Sequence, residues 1–138
     1  MKRTFLSLAL VSGLLLAAIP ALAHHSFSAE FDSAKPTTKK GFVTKIDWAN
    51  PHVWIYINVK DEKGVTKSWG FEMGPPHLLQ GQGWTRNSLK IGDEVEVEGS
   101  LAKNGTPKMN ARSVKMAATG VRLGAASSQG INQAQPQQ

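Results

Sequence analysis

Between Pro51 and Asp61 the side chains alternate without a break. Val53, Ile55, Ile57 and Val59 fall on one parity, and Trp54, Tyr56 and Asn58 on the other. A helix would need its apolar residues three and four apart. Alternation of branched aliphatics with aromatics instead predicts a strand over residues 52–60 with one buried face. The same rule extends in both directions. Residues 39–48 read as a first strand, ended by Asn50-Pro51, because proline lacks a donor and restricts its predecessor. Asp61-Glu62-Lys63-Gly64 reads as a hairpin turn, with Gly64 in the left-handed position. A third strand over residues 66–73 puts Trp69, Phe71 and Met73 on one face. A short helix is expected around residues 77–80.

Ile91-Gly92-Asp93 leads into a fourth strand, residues 94–101, with Val95 and Val97 inward and Glu94, Glu96 and Glu98 outward. Asn104-Gly105 is a turn, and residues 111–116 form a fifth strand. Three strands, a helical connector and two strands is the order of the OB-fold. The run Leu89-Lys90-Ile91-Gly92-Asp93-Glu94-Val95 resembles the entry to the fourth strand in that fold. The expected class is all-β, a five-stranded OB-fold-like Greek-key barrel with a short helix between strands three and four. Another small antiparallel barrel or sandwich is the alternative.

The ends of the chain set its compartment and boundaries. Lys2 and Arg3 precede an apolar run from Phe5 to Ile19, followed by Pro20-Ala21-Leu22-Ala23 with small residues at a cleavage site. This is the anatomy of a secretory signal over residues 1–23. The run is short for a bilayer span, which needs about 20 residues. No further segment of the sequence is apolar for long enough to span, so no integral membrane segment is expected after processing. The mature chain would begin at His24 in the periplasm or outside the cell. An arm over residues 24–38 carries Phe27 and Phe31. The barrel follows over residues 39–117, and a Gly-, Ala-, Ser- and Gln-rich tail over residues 118–138 is expected to be disordered. The absence of cysteine excludes disulfide staples and thiol chemistry. Loss of Lys2 and Arg3 takes the 16 basic residues to 14, against 10 acidic ones, a net +4. So mild a charge is not a nucleic-acid signature, and no nucleic-acid partner is expected.

The sequence resembles a family of small exported bacterial proteins known as domain of unknown function six-one-five-two. His24-His25-Ser26-Phe27 with Glu30-Phe31-Asp32, then Lys40-Gly41 and Trp48-Ala49-Asn50-Pro51-His52, carry its first half. Gly83-Trp84-Thr85-Arg86 and Ser88-Leu89-Lys90 with Gly92-Asp93 carry the second. The resemblance spans about residues 23–116. It implies an exported, barrel-like domain and no activity. Members often have another polar residue at His77, so it implies no essential role there.

Candidate sites follow from residue chemistry. No phosphate loop and no recognisable nucleophile triad is present, so no catalytic residue and no enzyme activity is expected. Cleavage at Ala23 would give His24 a free α-amine beside its own imidazole. Those two nitrogens chelate one metal, and an imidazole from His25, His52 or His77 would complete a three-nitrogen site. Such donors suit copper, the one cofactor the sequence suggests. His24 and His25 can equally be an ordinary polar terminus. His52 can be a rim ligand, or can simply cap its turn or pair with Glu30, Asp32 or Asp47, the reading favoured here. Trp54 and Tyr56, with Trp84 and Arg86, form the candidate ligand face, since strands two and three are the usual OB-fold binding surface. Phe27 and Phe31 can instead cover those rings. The Glu94, Glu96, Glu98 stripe reads as a solvated face. A non-catalytic binding module for an unknown small molecule or protein is the resulting expectation, with a metal-binding protein as the alternative.

Overall fold

Alternation becomes sheet in the computed structural model of the protein, which describes residues 27–127. A four-residue helix α1 (Phe27–Glu30) runs directly into β1 (Phe31–Asp47). Then come β2 (Trp54–Lys60), β3 (Thr66–Glu72), helix α2 (Pro76–Gly81), β4 (Glu94–Ala102), β5 (Lys108–Met116) and β6 (Arg122–Gly124). They form a six-stranded, mostly β architecture in the order β3-β2-β1-β4-β5-β6. The neighbours in that order pair antiparallel, and a parallel pairing of β3 with β5 closes a ring of hydrogen bonds through five strands. The helix expected between strands three and four is present as α2, with Pro76 at its start, where a missing N–H costs nothing.

The ring can close because β1 serves two partners. Its first part pairs with β4, its last part with β2, and Gly41 faces both Val59 and Val95. A Cβ at Gly41 would stand 2.1 Å from the Asn58 carbonyl oxygen. Only glycine lets three backbones meet this closely. Inward parities of the strands then converge on one core: Val43, Val53, Ile55, Ile57, Phe71, Met73, Val95, Val97, Met109 and Val114 are all 1% exposed or less.

Two boundaries differ from the sequence reading. β1 starts at Phe31, so most of the expected arm is strand, with Pro36 to Lys40 paired to β4. The expected disordered tail, as far as it is described, is ordered. β6 pairs with β5, and Ala125, Ala126 and Ser127 are buried. Small side chains proved to be the useful property there. The Gly74 N–H donates to the Ala125 carbonyl at 2.8 Å, an approach a larger residue would obstruct. Arg122 of β6 reaches Glu96 at 3.3 Å and Glu98 at 3.4 Å. The expected signal segment, His24, His25 and the tail beyond Ser127 lie outside the described residues. Among the described residues no helix is long and apolar enough to cross a membrane.

Candidate functional site

The outward parity of β2 carries Trp54 and Tyr56, both half-buried. Their rings stack with centroids 6.3 Å apart and 22° between planes. They lie over Gly70 of β3, the residue paired with Tyr56. A Cβ at Gly70 would meet the Tyr56 ring at 3.3 Å and the Trp54 ring at 3.6 Å. The missing side chain of Gly70 is therefore what lets the two rings lie down as a platform. Ammonium groups stand at both ends, with Lys45 Nζ 5.2 Å from the Tyr56 centroid and Lys108 Nζ 5.7 Å from that of Trp54. Lys108 also lies 5.9 Å from the Phe31 ring. Phe31 stacks on Phe27 at 5.7 Å, and the two form a separate small apolar cluster with Ala102. The arm thus reaches the edge of the platform through a shared lysine, while its own rings pack on each other.

Beside the platform is a polar group drawn from four elements. His52 precedes β2, Glu72 ends β3, Glu30 ends α1 and Lys108 begins β5. Strand register sets Glu72 opposite Trp54. His52 Nδ1 is 2.6 Å from Glu72 Oε1, though not aligned as a standard hydrogen bond. Lys108 pairs with Glu30. Burial pushes the Glu72 carboxyl above its usual 4.5 against the pull of His52; Glu30 raises it further, and Lys108 opposes. The expectation that His52 finds a carboxylate partner agrees with this geometry, but the partner is Glu72 and not Glu30, Asp32 or Asp47. The outward parity of Glu72 could have been read from the alternation of Trp69, Phe71 and Met73. Nothing in the sequence marked Lys108, whose role follows from the parallel pairing of β3 with β5.

The other candidates disperse. Trp84 is only 3% exposed, and its Nε1–H donates to the Gly124 carbonyl at 2.7 Å. It belongs to the core and not to the outer face of β2, because the loop after α2 folds it inward against Leu79 and Leu89. Arg86 is exposed, and with Trp84, Ile46, Trp48 and Met73 it lines a shallow apolar cleft at one end of the ring, with a volume of about 10 Å³. That is far below the ~300–1,000 Å³ of most ligand pockets. Trp54 and Tyr56 are therefore not one site with Trp84 and Arg86. His77 is exposed on α2. Among the described residues no group of three or more His, Asp or Glu is placed to hold a metal ion. The glutamates of β4 are half-exposed and salt-bridged, Glu94 to Lys40 at 3.2 Å and Glu98 to Arg112 at 3.6 Å.

Comparison with curated proteins and with solved structures gives no match. A family model described as "Family of unknown function (DUF6152)" matches residues 11–111, most of the chain. That span takes in the Trp54–Tyr56 platform and all four members of the polar group beside it, and the chain belongs to the DUF6152 family.

Proposed function

We propose that the mature chain is an exported, non-catalytic binding module with an OB-fold-like barrel, and that it takes its ligand on the outer face of β2 and β3. The single observation that carries this is the Trp54–Tyr56 platform, two rings laid flat over Gly70 and left partly open to solvent. A strand needs no such pair on its outer face for stability, since the apolar core lies on the other parity. Stacked rings bind flat apolar surfaces, such as the faces of sugar rings, with little loss of side-chain freedom. Closure of five strands through β3 and β5 supports the OB-like reading, and in that fold this surface binds oligosaccharides and oligonucleotides. The charge-run-apolar-run-cleavage pattern of residues 1–23 supports export. Titration of the ¹⁵N-labelled mature domain with chitohexaose and maltohexaose tests the face. The expected shifts are confined to the Trp54 indole, Tyr56, Gly70 and Lys108. Shifts centred on Trp48 and Arg86, or none with either sugar, count against it.

Metal binding through the processed N-terminus is the second reading. The observation that favours it is the carboxylate behind His52.

A further inference from the structure

The outer face does not end at the Trp54–Tyr56 platform. Two residues beyond Tyr56 the outward parity of β2 continues at Asn58, which register sets between Phe42 of β1 and Ser68 of β3. Residues directly opposite each other across a sheet project to the same side. Phe42 therefore stands on the face of the platform as the diagonal neighbour of Tyr56, about 7–8 Å away between backbones. Its neighbours Gly41 and Val43 are buried, while Phe42 is 55% exposed. A single exposed ring on a protein surface needs no explanation. A third open ring on a face that already carries two does.

The row has length and direction. Trp54 and Asn58 lie about 13–14 Å apart along the strand. In between the order is ring, ring, amide, with Phe42 beside the amide. Asn58 and Ser68 are exposed. Their amide and hydroxyl can each donate and accept. Rings for apolar faces, with groups beside them that bond to hydroxyls, suit a chain of sugars.

The charges along the row come in opposite pairs. Lys45 lies 2.7 Å from Asp47, Lys40 lies 3.2 Å from Glu94, Lys108 pairs with Glu30, and His52 faces Glu72. Lys60, the next outward residue of β2, comes only after Asn58. A polyanion would meet lysines that already have partners, whereas a neutral chain needs none of them. A single-stranded nucleic acid needs a positive groove that tracks its backbone, and paired lysines do not make one.

We infer that the ligand of this face is a neutral linear oligosaccharide laid along β2, stacked on Trp54 and Tyr56 at one end and on Phe42 at the other, with Asn58 and Ser68 bonding its hydroxyls beside Phe42. This assignment rests on the platform reading above and adds the length, direction and charge of the sugar.

The test compares N-acetylated chitobiose with chitohexaose, and maltose with maltohexaose, in ¹⁵N titrations of the unaltered protein and of Phe42→Ala. The exposed Phe42 ring can be removed without opening the core. The platform by itself confines shifts to Trp54, Tyr56, Gly70 and Lys108; the longer row adds Phe42, Asn58 and Ser68 when a hexaose binds. Phe42→Ala should weaken hexaose binding about 10-fold, leave disaccharide affinity unchanged and keep the shift of the Trp54 indole. Hexagalacturonate, an anionic chain of the same length, should bind more weakly than the better neutral hexaose. If hexaoses move the Trp54 indole but bind Phe42→Ala as tightly as the unaltered protein, the platform reading stands and the row ends at Tyr56. If hexagalacturonate binds more tightly than both neutral hexaoses, the ligand is an anionic chain and not the one inferred. If no sugar moves the Trp54 indole, both fall.

Discussion

The inside of the strand ring and its outer face at β2 are built from the same strands by opposite rules. Inside, Ile55, Ile57, Phe71, Val97 and Met109 are all but sealed from water and carry no polar atom in the side chain apart from one thioether. Outside, on the alternate residues of the same β2 and β3, Trp54 and Tyr56 are partly open to solvent, and burial pushes the Glu72 carboxyl above its ordinary range. Strand alternation forces the two sets to be interleaved in sequence, yet they do not need each other chemically. The interior accounts for the fold. The exterior carries a half-buried acid, an oriented imidazole and a stacked pair of rings, none of which the interior requires.

That contrast can be broken from the inside first. Phe71→Ala should cost about 3–5 kcal/mol, read as a fall in the urea midpoint, because a sealed core leaves a cavity. Ending the chain after Gly120 removes β6, the acceptor of the Trp84 indole and the buried Ala125 and Ala126. A loss of about 1–3 kcal/mol is expected from the orphaned buried donor alone. An unchanged melting temperature would mean that the segment contributes no packing. Phe31→Ala strikes the small outer cluster and should cost about 2 kcal/mol. Amide exchange of α1 should accelerate while that of Val97 and Val114 stays slow. Trp54→Ala should shift stability by less than about 1 kcal/mol, the scale of one cross-strand pair, and yet remove sugar-induced shifts.

The smallest expected effect is on pH dependence. Burial makes the folded state hold the Glu72 proton more tightly than the unfolded state does, against the pull of His52, with the push of Glu30 and against Lys108. Its stabilising contribution is therefore complete below the ordinary carboxylate value and is lost as pH rises through the higher folded value. Melting curves of Glu72→Gln should be flatter over that window than those of the unaltered protein. Identical curves would show that Glu72 titrates as if exposed.

Much of the interior was legible from alternation, since parity alone assigns Val53, Ile55, Ile57, Phe71, Met73, Val95 and Val97 to one side. The outer parity of Trp54 and Tyr56 was legible for the same reason. What escaped was everything that depends on strand neighbours distant in sequence. Glu72 meets His52 through the β2–β3 register, and Lys108 arrives through the closing β3–β5 pair. Trp84 is grouped in sequence with Trp54 and Tyr56 as a candidate binding aromatic, yet its loop turns the indole onto Gly124. The tail misled through composition. A run of small residues cannot build a core, but it can fill a narrow gap beside Gly74.

The central claim is that the proposed ligand face is the outer one, around Trp54 and Tyr56, and not the cleft at the end of the ring. Its most direct test is a ¹⁵N titration with chitohexaose of the unaltered protein beside Trp54→Ala. Shifts centred on the Trp54 indole, Tyr56 and Gly70 are predicted in the unaltered protein and none in Trp54→Ala, with the Trp84 indole unmoved in both. Shifts centred on Trp84 and Arg86, or equal shifts in the two proteins, would contradict it.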